Sequence, residues 1–203
     1  MMRAAIAFDL DGTLIEVSHR DYKIYADLIA EIKGLPISYT PYWTMRRAKT
    51  DIHSILSQSG IDSERGVEYF LTERKKRMER ADYLALDTLF PSVDDTLRCL
   101  DQEHDVYILT IRHNKENTIQ QLSTLGIDRY RSYIVDSDKK SAMSKIPNLQ
   151  FMVGDTENDI LPANELGIKS IAVTTGIRNE SLLEAMRPTH IVESLEDIPK
   201  ILR

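Results

Sequence analysis

The stretch RAAIAFDLDGT, residues 3–13, decides how this chain folds. Its apolar first half predicts a buried β-strand, and its polar second half predicts the loop that leaves that strand. Asp9 and Asp11 are two positions apart on an extended segment, so their side chains can point the same way. Gly12 lets the chain turn where a side chain would obstruct it. The stretch predicts either a polar site at a strand end or a simple turn.

Two further polar elements follow apolar strands later in the chain. Asp155 comes after the apolar run 151–153, and Asp159 stands about one helical turn further on. Thr110 ends the predicted strand that begins at Asp105. Each element also has an ordinary structural explanation, a helix cap for the aspartates and a strand-end threonine for Thr110.

The pattern of hydrophobic residues divides the chain into two parts. Residues from about 18 to 88 have helical periodicity and no strand signal, whereas strands alternate with helices from Pro91 onward. Such alternation implies a parallel sheet covered by helices on both faces. We therefore predict an α/β protein. Residues 1–14 and 89–203 would form a doubly wound, mainly parallel, Rossmann-like core, with residues 15–88 inserted as an α-helical cap.

In a doubly wound sheet, ligands bind at the carboxyl ends of the strands. Asp9, Thr110 and Asp155 each follow or end an apolar strand, so we expect them at one rim. Carboxylates that come close together repel each other unless a cation or a shared proton intervenes. The rim therefore suits a hard divalent cation, which prefers oxygen ligands.

Composition and charge narrow the class of protein. The chain has 203 residues and a net charge of −6. Residues 15–88 carry equal numbers of basic and acidic side chains, so the predicted core holds the acidic excess and suits nucleic-acid binding poorly. Cys99 is the one cysteine, and no apolar stretch approaches the roughly 20 residues of a membrane span. We expect a soluble cytoplasmic protein, a monomer or homodimer, without nucleic-acid or membrane partners.

Taken in order, the motifs resemble those of the haloacid dehalogenase-like (HAD) superfamily, in its phosphatase branch. The family pattern D-x-D-G-T matches residues 9–13, and its strand ending in a hydroxyl matches Thr110. Its lysine at the start of a helix matches Lys139 or Lys140, and its G-D-x-x-x-D matches residues 154–159. With the helical insertion, the chain is similar to phosphoglycolate phosphatases.

The resemblance implies a magnesium-dependent phosphatase that hydrolyses a small phosphorylated metabolite through an aspartyl-phosphate. Asp9 would attack phosphorus. Asp11 would protonate the leaving oxygen and then activate the water that hydrolyses the intermediate. Mg²⁺ would be held by Asp9, the backbone carbonyl of Asp11 and Asp155, with Asp159 supporting the metal shell.

The resemblance also assigns the phosphate-binding side chains. Thr110 and one lysine would bind phosphate oxygens. Lys139 has apolar residues three, four and seven positions later, which favours it over Lys140, although Lys140 is not excluded. Ile111 follows Thr110 where the family commonly has Asn or Gly, so a further donor would come from residues 112–114.

Asp11 discriminates between the branches of the superfamily. Members that dehalogenate lack a carboxylate at this position, because halide leaves without protonation. A phosphate ester is therefore favoured as the substrate. Two alternatives stay open: a sugar-phosphate mutase, which keeps both aspartates, and a catalytically silent regulator that binds a phosphorylated ligand or a protein.

Substrate selection should depend on the cap, because the core handles only the phosphoryl group. Trp43, Arg46 and Arg47 lie beside two tyrosines in a concentrated polar-aromatic group. An aromatic wall next to a guanidinium suits a sugar or an anionic organic phosphate. The same residues would equally form a packed tryptophan with a solvated arginine face.

Overall fold

The computed structural model describes residues 3–202, and the chain divides into two compact units. The first unit comprises residues 1–16 and 88–203, and the second comprises residues 17–87. We propose that the second unit is the predicted cap, with its limits at residues 17 and 87 instead of 15 and 88.

The described strands are short and, apart from two, belong to one sheet. They are β1 (Ala5–Phe8), β2 (Ile15–Glu16), β3 (Thr88–Leu89), β4 (Asp105–Ile111), β5 (Arg131–Val135), β6 (Leu149–Gly154), β7 (Lys169–Val173) and β8 (His190–Val192). Six of them form a parallel sheet in the order β5-β4-β1-β6-β7-β8. The predicted α/β core with a parallel sheet is therefore confirmed.

The helices of the first unit alternate with these strands, as predicted. They are α6 (Val93–Leu100), α7 (Lys115–Thr124), α8 (Lys139–Met143), α9 (Glu157–Glu165), α10 (Glu180–Ala185) and α11 (Ile198–Ile201), with a 3₁₀ turn at Leu195–Asp197. On one face of the sheet, alanines of β1 pack with Met143 of α8 and Ala163 of α9. All of β1 is buried, as expected for a central strand covered on both faces.

The strand order reverses at β1. From β1 the chain continues to β4 and β5 on one side of β1, and then returns to β6, β7 and β8 on the other. Phe8, the last residue of β1, lies opposite Ile108 of β4 and Val153 of β6. β6 ends one residue beyond this level and β4 ends three residues beyond it. This reversal creates the crevice in which doubly wound sheets bind ligands.

β2 and β3 form a small antiparallel ribbon in the first unit. Ile15 pairs with Leu89 and Glu16 pairs with Thr88, so the two ends of the inserted segment lie side by side. The limits predicted for the cap, residues 15 and 88, both fall within this ribbon, which the sequence did not predict. Two-residue strands are too short to show any periodicity.

The second unit is helical. Its helices are α1 (Ser18–Glu31), α2 (Tyr39–Arg47), α3 (Ile52–Gln58), α4 (Glu64–Arg77) and α5 (Ala81–Leu84). Tyr25 of α1 stacks on Tyr42 of α2 with ring centroids 4.1 Å apart, and Phe70 of α4 contacts Tyr25 edge-on. Ser63 caps α4 by accepting from the backbone N–H of Gly66. No described helix is both long and apolar enough to cross a membrane.

Candidate active site

Three buried carboxylates converge at the carboxyl edge of the sheet. Asp9 follows β1, Asp155 follows β6, and Asp159 lies in the first turn of α9. Each offers a carboxylate oxygen, and these oxygens all lie within 4.8 Å of one another. Asp155 and Asp159 are fully buried and Asp9 is 6% exposed. Negative charges this close together and excluded from solvent need compensation by cations.

Lys139 supplies one positive charge to the cluster. Its Nζ lies 2.6 Å from Oδ1 of Asp9 and 2.5 Å from Oδ1 of Asp159. Asp138 caps α8, so Lys139 is the first residue of that helix. Lys140 points elsewhere: its side chain is half exposed and its Nζ lies 2.6 Å from Oε2 of Glu165. Consecutive helical residues differ by about 100° in direction, so one of the two lysines faces the cluster.

Alanine substitution should separate the two lysines. We expect Lys139→Ala to lower kcat/KM for an aryl phosphate by ~10²-fold, because a buried cation beside the reacting groups is lost. Lys140→Ala is the matched control on the same helix and should keep near-normal kinetics. Steady-state kinetics of both variants checks this. An equal loss in both, or a larger loss in Lys140→Ala, would contradict the assignment.

The surroundings of Asp155 fix its carboxylate from two sides. Thr13 Oγ1 donates to Oδ1 at 3.0 Å, and the backbone N–H of Ile177 donates to Oδ2 at 2.7 Å. Gly12 has φ +84°, and a Cβ there would lie 2.4 Å from Oδ2. A Cβ on Gly176 would lie 2.0 Å from the same oxygen. Both glycines are therefore required for the backbone to approach this closely.

The contact from the loop after β7 was not predicted from the sequence. Gly176 and Ile177 follow a buried strand, just as Asp9 and Asp155 do. That position at a strand end was the available signal. It was missed because neither residue carries a polar side chain, and the contact uses the backbone.

Asp159 is engaged at both oxygens. Oδ2 accepts from the backbone N–H of Thr156 at 3.1 Å and from its Oγ1 at 2.8 Å, which completes a capping box at the start of α9. Oδ1 accepts from Lys139. Asp159 therefore anchors both the loop and the lysine, and its contacts suit a supporting residue.

The cluster contains more acidic groups than basic groups. Burial raises the pKa of Asp9 well above its ordinary value, and Asp159 adds to this effect. Burial and Asp159 likewise raise the pKa of Asp155 to about 7. Burial alone would lower the pKa of Lys139, but Asp159 and Asp9 raise it above the ordinary value. One ammonium thus faces three carboxylates, and this set of hard oxygen donors fits a divalent cation such as Mg²⁺.

Asp11 lies outside this cluster and is held by Arg112. Arg112 Nε donates to Oδ2 of Asp11 at 2.6 Å, and Nη2 donates to Oδ1 at 2.7 Å. Arg112 comes directly after β4, whose Thr110 is 1% exposed. Of the donors left open after Thr110, Arg112 reaches Asp11, and Asn114 caps α7.

In the helical unit, Arg46 holds a buried carboxylate. Arg46 Nε lies 2.9 Å from Oδ2 of Asp21, and Arg74 Nη2 lies 2.7 Å from Oδ1. The hydroxyl of Tyr42 also donates to Oδ1, at 3.1 Å. Arg46 therefore has a structural role that the sequence did not reveal. Trp43 and Arg47 are partly buried on α2, and substrate contact by Trp43, Arg46 or Arg47 stays a prediction.

Replacing Asp21 by asparagine should destabilise the protein by about 3–5 kcal/mol, because two guanidinium groups lose their buried counter-ion. Burial would raise the pKa of Asp21, but Arg74 and Arg46 lower it below its ordinary value. The stabilisation is therefore present above about pH 4 and is lost as the pH falls towards the folded-state value. Denaturant unfolding of wild type and Asp21→Asn between pH 3 and pH 7 checks both statements.

The control for Asp21 is a surface ion pair of the same unit. Asp82 lies 2.7 Å from Arg80, and its side chain is 58% exposed. Asp82→Asn should leave the free energy of unfolding nearly unchanged, because an exposed ion pair is screened by water and salt. Equal effects of the two substitutions, or an unchanged acid sensitivity in Asp21→Asn, would contradict the buried-pair interpretation.

Comparisons with known proteins agree with this geometry. The HAD-hydrolase-like family model matches residues 125–198. A phosphoglycolate phosphatase from Chromobacterium violaceum is 27% identical over 97% of this chain and 96% of its own length. The pyrophosphatase PpaX from Halalkalibacterium halodurans is 24% identical over 97% of this chain and 95% of its own.

A solved structure gives the same fold. The haloacid dehalogenase-like hydrolase from Streptococcus pneumoniae superposes with a TM-score of 0.75 at 21% identity, covering 99% of both chains. The motif aspartates lie at the strand ends where the resemblance places them, in a sheet of the expected order. In its motifs, its fold and these relatives, the chain is similar to the haloacid dehalogenase-like hydrolases of the phosphatase branch.

Proposed function

We propose that this protein is a magnesium-dependent phosphatase that transfers the phosphoryl group of a small metabolite to Asp9 and then to water. The observation that carries the proposal is the buried cluster at the end of the central strand. There Lys139 holds one oxygen of Asp9 at 2.6 Å, and Asp155 lies alongside. A nucleophilic carboxylate oriented by a buried cation is what in-line attack on phosphorus requires.

The first half of the reaction forms the aspartyl-phosphate. An oxygen of Asp9 bonds to phosphorus while the bond from phosphorus to the ester oxygen breaks. Asp11 donates a proton to that leaving oxygen. The ammonium of Lys139 reduces the repulsion between the Asp9 carboxylate and the incoming phosphoryl oxygens, and the hydroxyl of Thr110 would donate to one of them.

The second half returns Asp9 to its starting state. Water gives a proton to Asp11 as its oxygen bonds to phosphorus, and the bond between phosphorus and Asp9 breaks to release inorganic phosphate. When bound, Mg²⁺ would neutralise phosphoryl charge, and Asp9, Asp155 and the backbone carbonyl of Asp11 would hold it. Asp159 would keep Lys139 in place throughout, through its 2.5 Å contact.

The substrate that the relatives favour is phosphoglycolate. The Chromobacterium relative is named a phosphoglycolate phosphatase, and it is 27% identical across nearly the whole of both chains. Pyrophosphate is the competing substrate, because the PpaX relative also spans nearly the whole of both chains, at 24% identity. Both substrates are small anions, and we propose that the helical unit distinguishes between them.

A substrate panel tests the proposal. The purified protein would be incubated with Mg²⁺ and, separately, phosphoglycolate, pyrophosphate, a hexose 1-phosphate and an aryl phosphate. We expect phosphate release from all esters, with the highest kcat/KM for phosphoglycolate. Conversion of the hexose 1-phosphate to the 6-phosphate without phosphate release would replace the phosphatase by a mutase. Binding without any turnover would replace it by a silent regulator.

A further inference from the structure

We propose that Arg112 is the positioning residue for Asp11, fixing the direction in which that carboxylate faces during acid–base catalysis. This role rests on the proposed function, which makes Asp11 the proton donor and acceptor. Sequence patterns of the family do not assign it, because the residues that follow Thr110 in this chain depart from the common pattern.

The contact between Arg112 and Asp11 is a two-point fork. Nε and Nη2 each meet a different oxygen of the carboxylate, at 2.6 and 2.7 Å. A single hydrogen bond leaves a carboxylate able to rotate about its axis, whereas two parallel bonds fix both its direction and its plane. The carboxylate of Asp11 therefore has one orientation as long as the fork is intact.

Arg112 is itself fixed by its surroundings. It is 3% exposed, and its backbone N–H donates to the carbonyl of Val135 in β5 at 2.9 Å. The Oε1 atom of Gln121, a buried side chain on α7, accepts from Nη2 at 3.3 Å. Arg112 is thus held to β5 through its backbone and to α7 through its guanidinium. A rigid support of this kind helps to keep the carboxylate that it binds in one direction.

The side chain of Asp11 is more exposed to solvent than that of Arg112. Its side chain is 21% exposed, and it follows Leu10 on the loop that leaves β1. Loss of the fork would remove two of the contacts that restrict the carboxylate to this rotamer. Proton transfer requires the carboxylate within hydrogen-bond reach of the leaving oxygen or of the attacking water, so misdirection would slow both transfers.

An aryl phosphate separates the two transfers. Its phenolate leaves without needing a proton, so attack by Asp9 proceeds even when Asp11 is misdirected. Hydrolysis of the aspartyl-phosphate still requires Asp11 to take a proton from water. A defect in positioning Asp11 should therefore appear as accumulation of the phosphorylated protein, and a general loss of structure would lower phosphorylation as well.

The experiment compares wild type with Arg112→Met and Arg112→Lys, using p-nitrophenyl phosphate and Mg²⁺. Steady-state samples are quenched in acid, and the phosphorylated fraction is measured by mass spectrometry of the intact protein. We expect Arg112→Met to lose ~10²-fold in kcat with an unchanged or lower KM, and to accumulate the phosphorylated form. Arg112→Lys, which keeps one donor group, should recover part of the loss.

Arg77→Met is the matched control. Arg77 makes a similar fork with Glu31, with both contacts at 2.8 Å, in the helical unit. Its loss should lower the melting temperature without raising the phosphorylated fraction. Circular dichroism establishes whether each variant is folded. If Arg112→Met does not fold, Arg112→Lys provides the test.

The outcomes distinguish a failure of the positioning role of Arg112 from a failure of the proposed phosphatase function. A wild type that never forms a phosphorylated Asp9 would overturn the phosphatase mechanism, and with it the role of Arg112. A wild type that forms it, together with Arg112 variants that lose activity without accumulating it, would overturn the positioning role alone.

Discussion

Asp9→Asn will lower turnover of an aryl phosphate by at least ~10³-fold while the protein stays folded. The substitution removes the nucleophile itself, and an amide oxygen cannot form a stable phosphorylated intermediate. Asn has nearly the same shape as Asp and can still accept from Lys139, whose Nζ lies 2.6 Å from Asp9 Oδ1. The loss should therefore be chemical, and initial-rate kinetics with saturating Mg²⁺ would measure it.

The same substitution should make the metal-free protein more stable. Burial raises the pKa of Asp9 well above its ordinary value, and Asp159 and Asp155 contribute to the increase. A buried carboxylate whose ionisation is disfavoured costs folding free energy at neutral pH, so replacing it by a neutral amide removes that cost. Thermal unfolding in the presence of a chelator would show the increase in Tm.

Asp11→Asn and Asp105→Asn serve as comparisons. Asp11→Asn should still be phosphorylated by a substrate with a good leaving group, but it should hydrolyse the intermediate slowly. Asp105 is the first residue of β4, so it lies at the amino ends of the strands, away from the carboxylate cluster. Its replacement should leave turnover near normal. Near-normal turnover in Asp9→Asn would exclude this residue as the nucleophile.

The positions of Asp9 and Asp155 were predictable because they depend on short segments of sequence and on a general property of parallel sheets. Each follows an apolar run, and the carboxyl ends of parallel strands meet at one edge. The preference for Lys139 over Lys140 followed from helical phase, since buried Ala142 and Met143 stand three and four positions after Lys139. Strand ends and helix phase are properties of short segments, which a sequence displays directly.

The contacts of Asp11 and Asp155 with other loops were not predictable in this way. Arg112 reaches Asp11 across 101 positions of the chain, and the backbone of Ile177 reaches Asp155 across 22. Such contacts depend on which strands are neighbours and on how far a side chain extends. The pattern of charged and apolar residues shows neither the order of the strands in the sheet nor the reach of a side chain.

The helical unit shows the same limit. The sequence places Arg46 in a concentrated polar-aromatic group, and its pairing with Asp21 becomes visible only when α1, α2 and α4 are assembled. Asp21 is 3% exposed although an aspartate in a helix ordinarily faces water. Burial of a charge is decided by its partners, and these come from three separate helices.

Mg²⁺ will restore the turnover that a chelator abolishes, and it will stabilise the protein more at pH 8 than at pH 5. The first effect follows from the set of donors: Asp9, Asp155 and Asp159 offer hard oxygen ligands within 4.8 Å of one another, as a divalent cation requires. Phosphate release in excess chelator, and again after Mg²⁺ is added back, measures it. Full activity in the chelator would exclude the metal from the mechanism.

The second effect follows from the sign of the shift at Asp155. Burial and Asp159 raise its pKa to about 7, above the roughly 3.9 of an unfolded aspartate. A group with a raised folded-state pKa stabilises fully below its unfolded value, and that stability is lost as the pH rises through about 7. Without metal, the protein should therefore be less stable at pH 8 than at pH 5. A cation that binds the ionised carboxylates reverses the loss by mass action, whereas at pH 5 protons compete with it.

Thermal unfolding at both pH values, with and without Mg²⁺, therefore locates the metal site without using activity. The increase in Tm should be larger at pH 8, and Asp155→Asn should remove most of the difference between the two pH values. Lys140→Ala is again the control, since Lys140 pairs with Glu165 outside the cluster and should leave the increase intact. An increase that is equal at both pH values, or one that survives in Asp155→Asn, would place the cation on other carboxylates, because only groups that titrate between these pH values make its binding depend on pH.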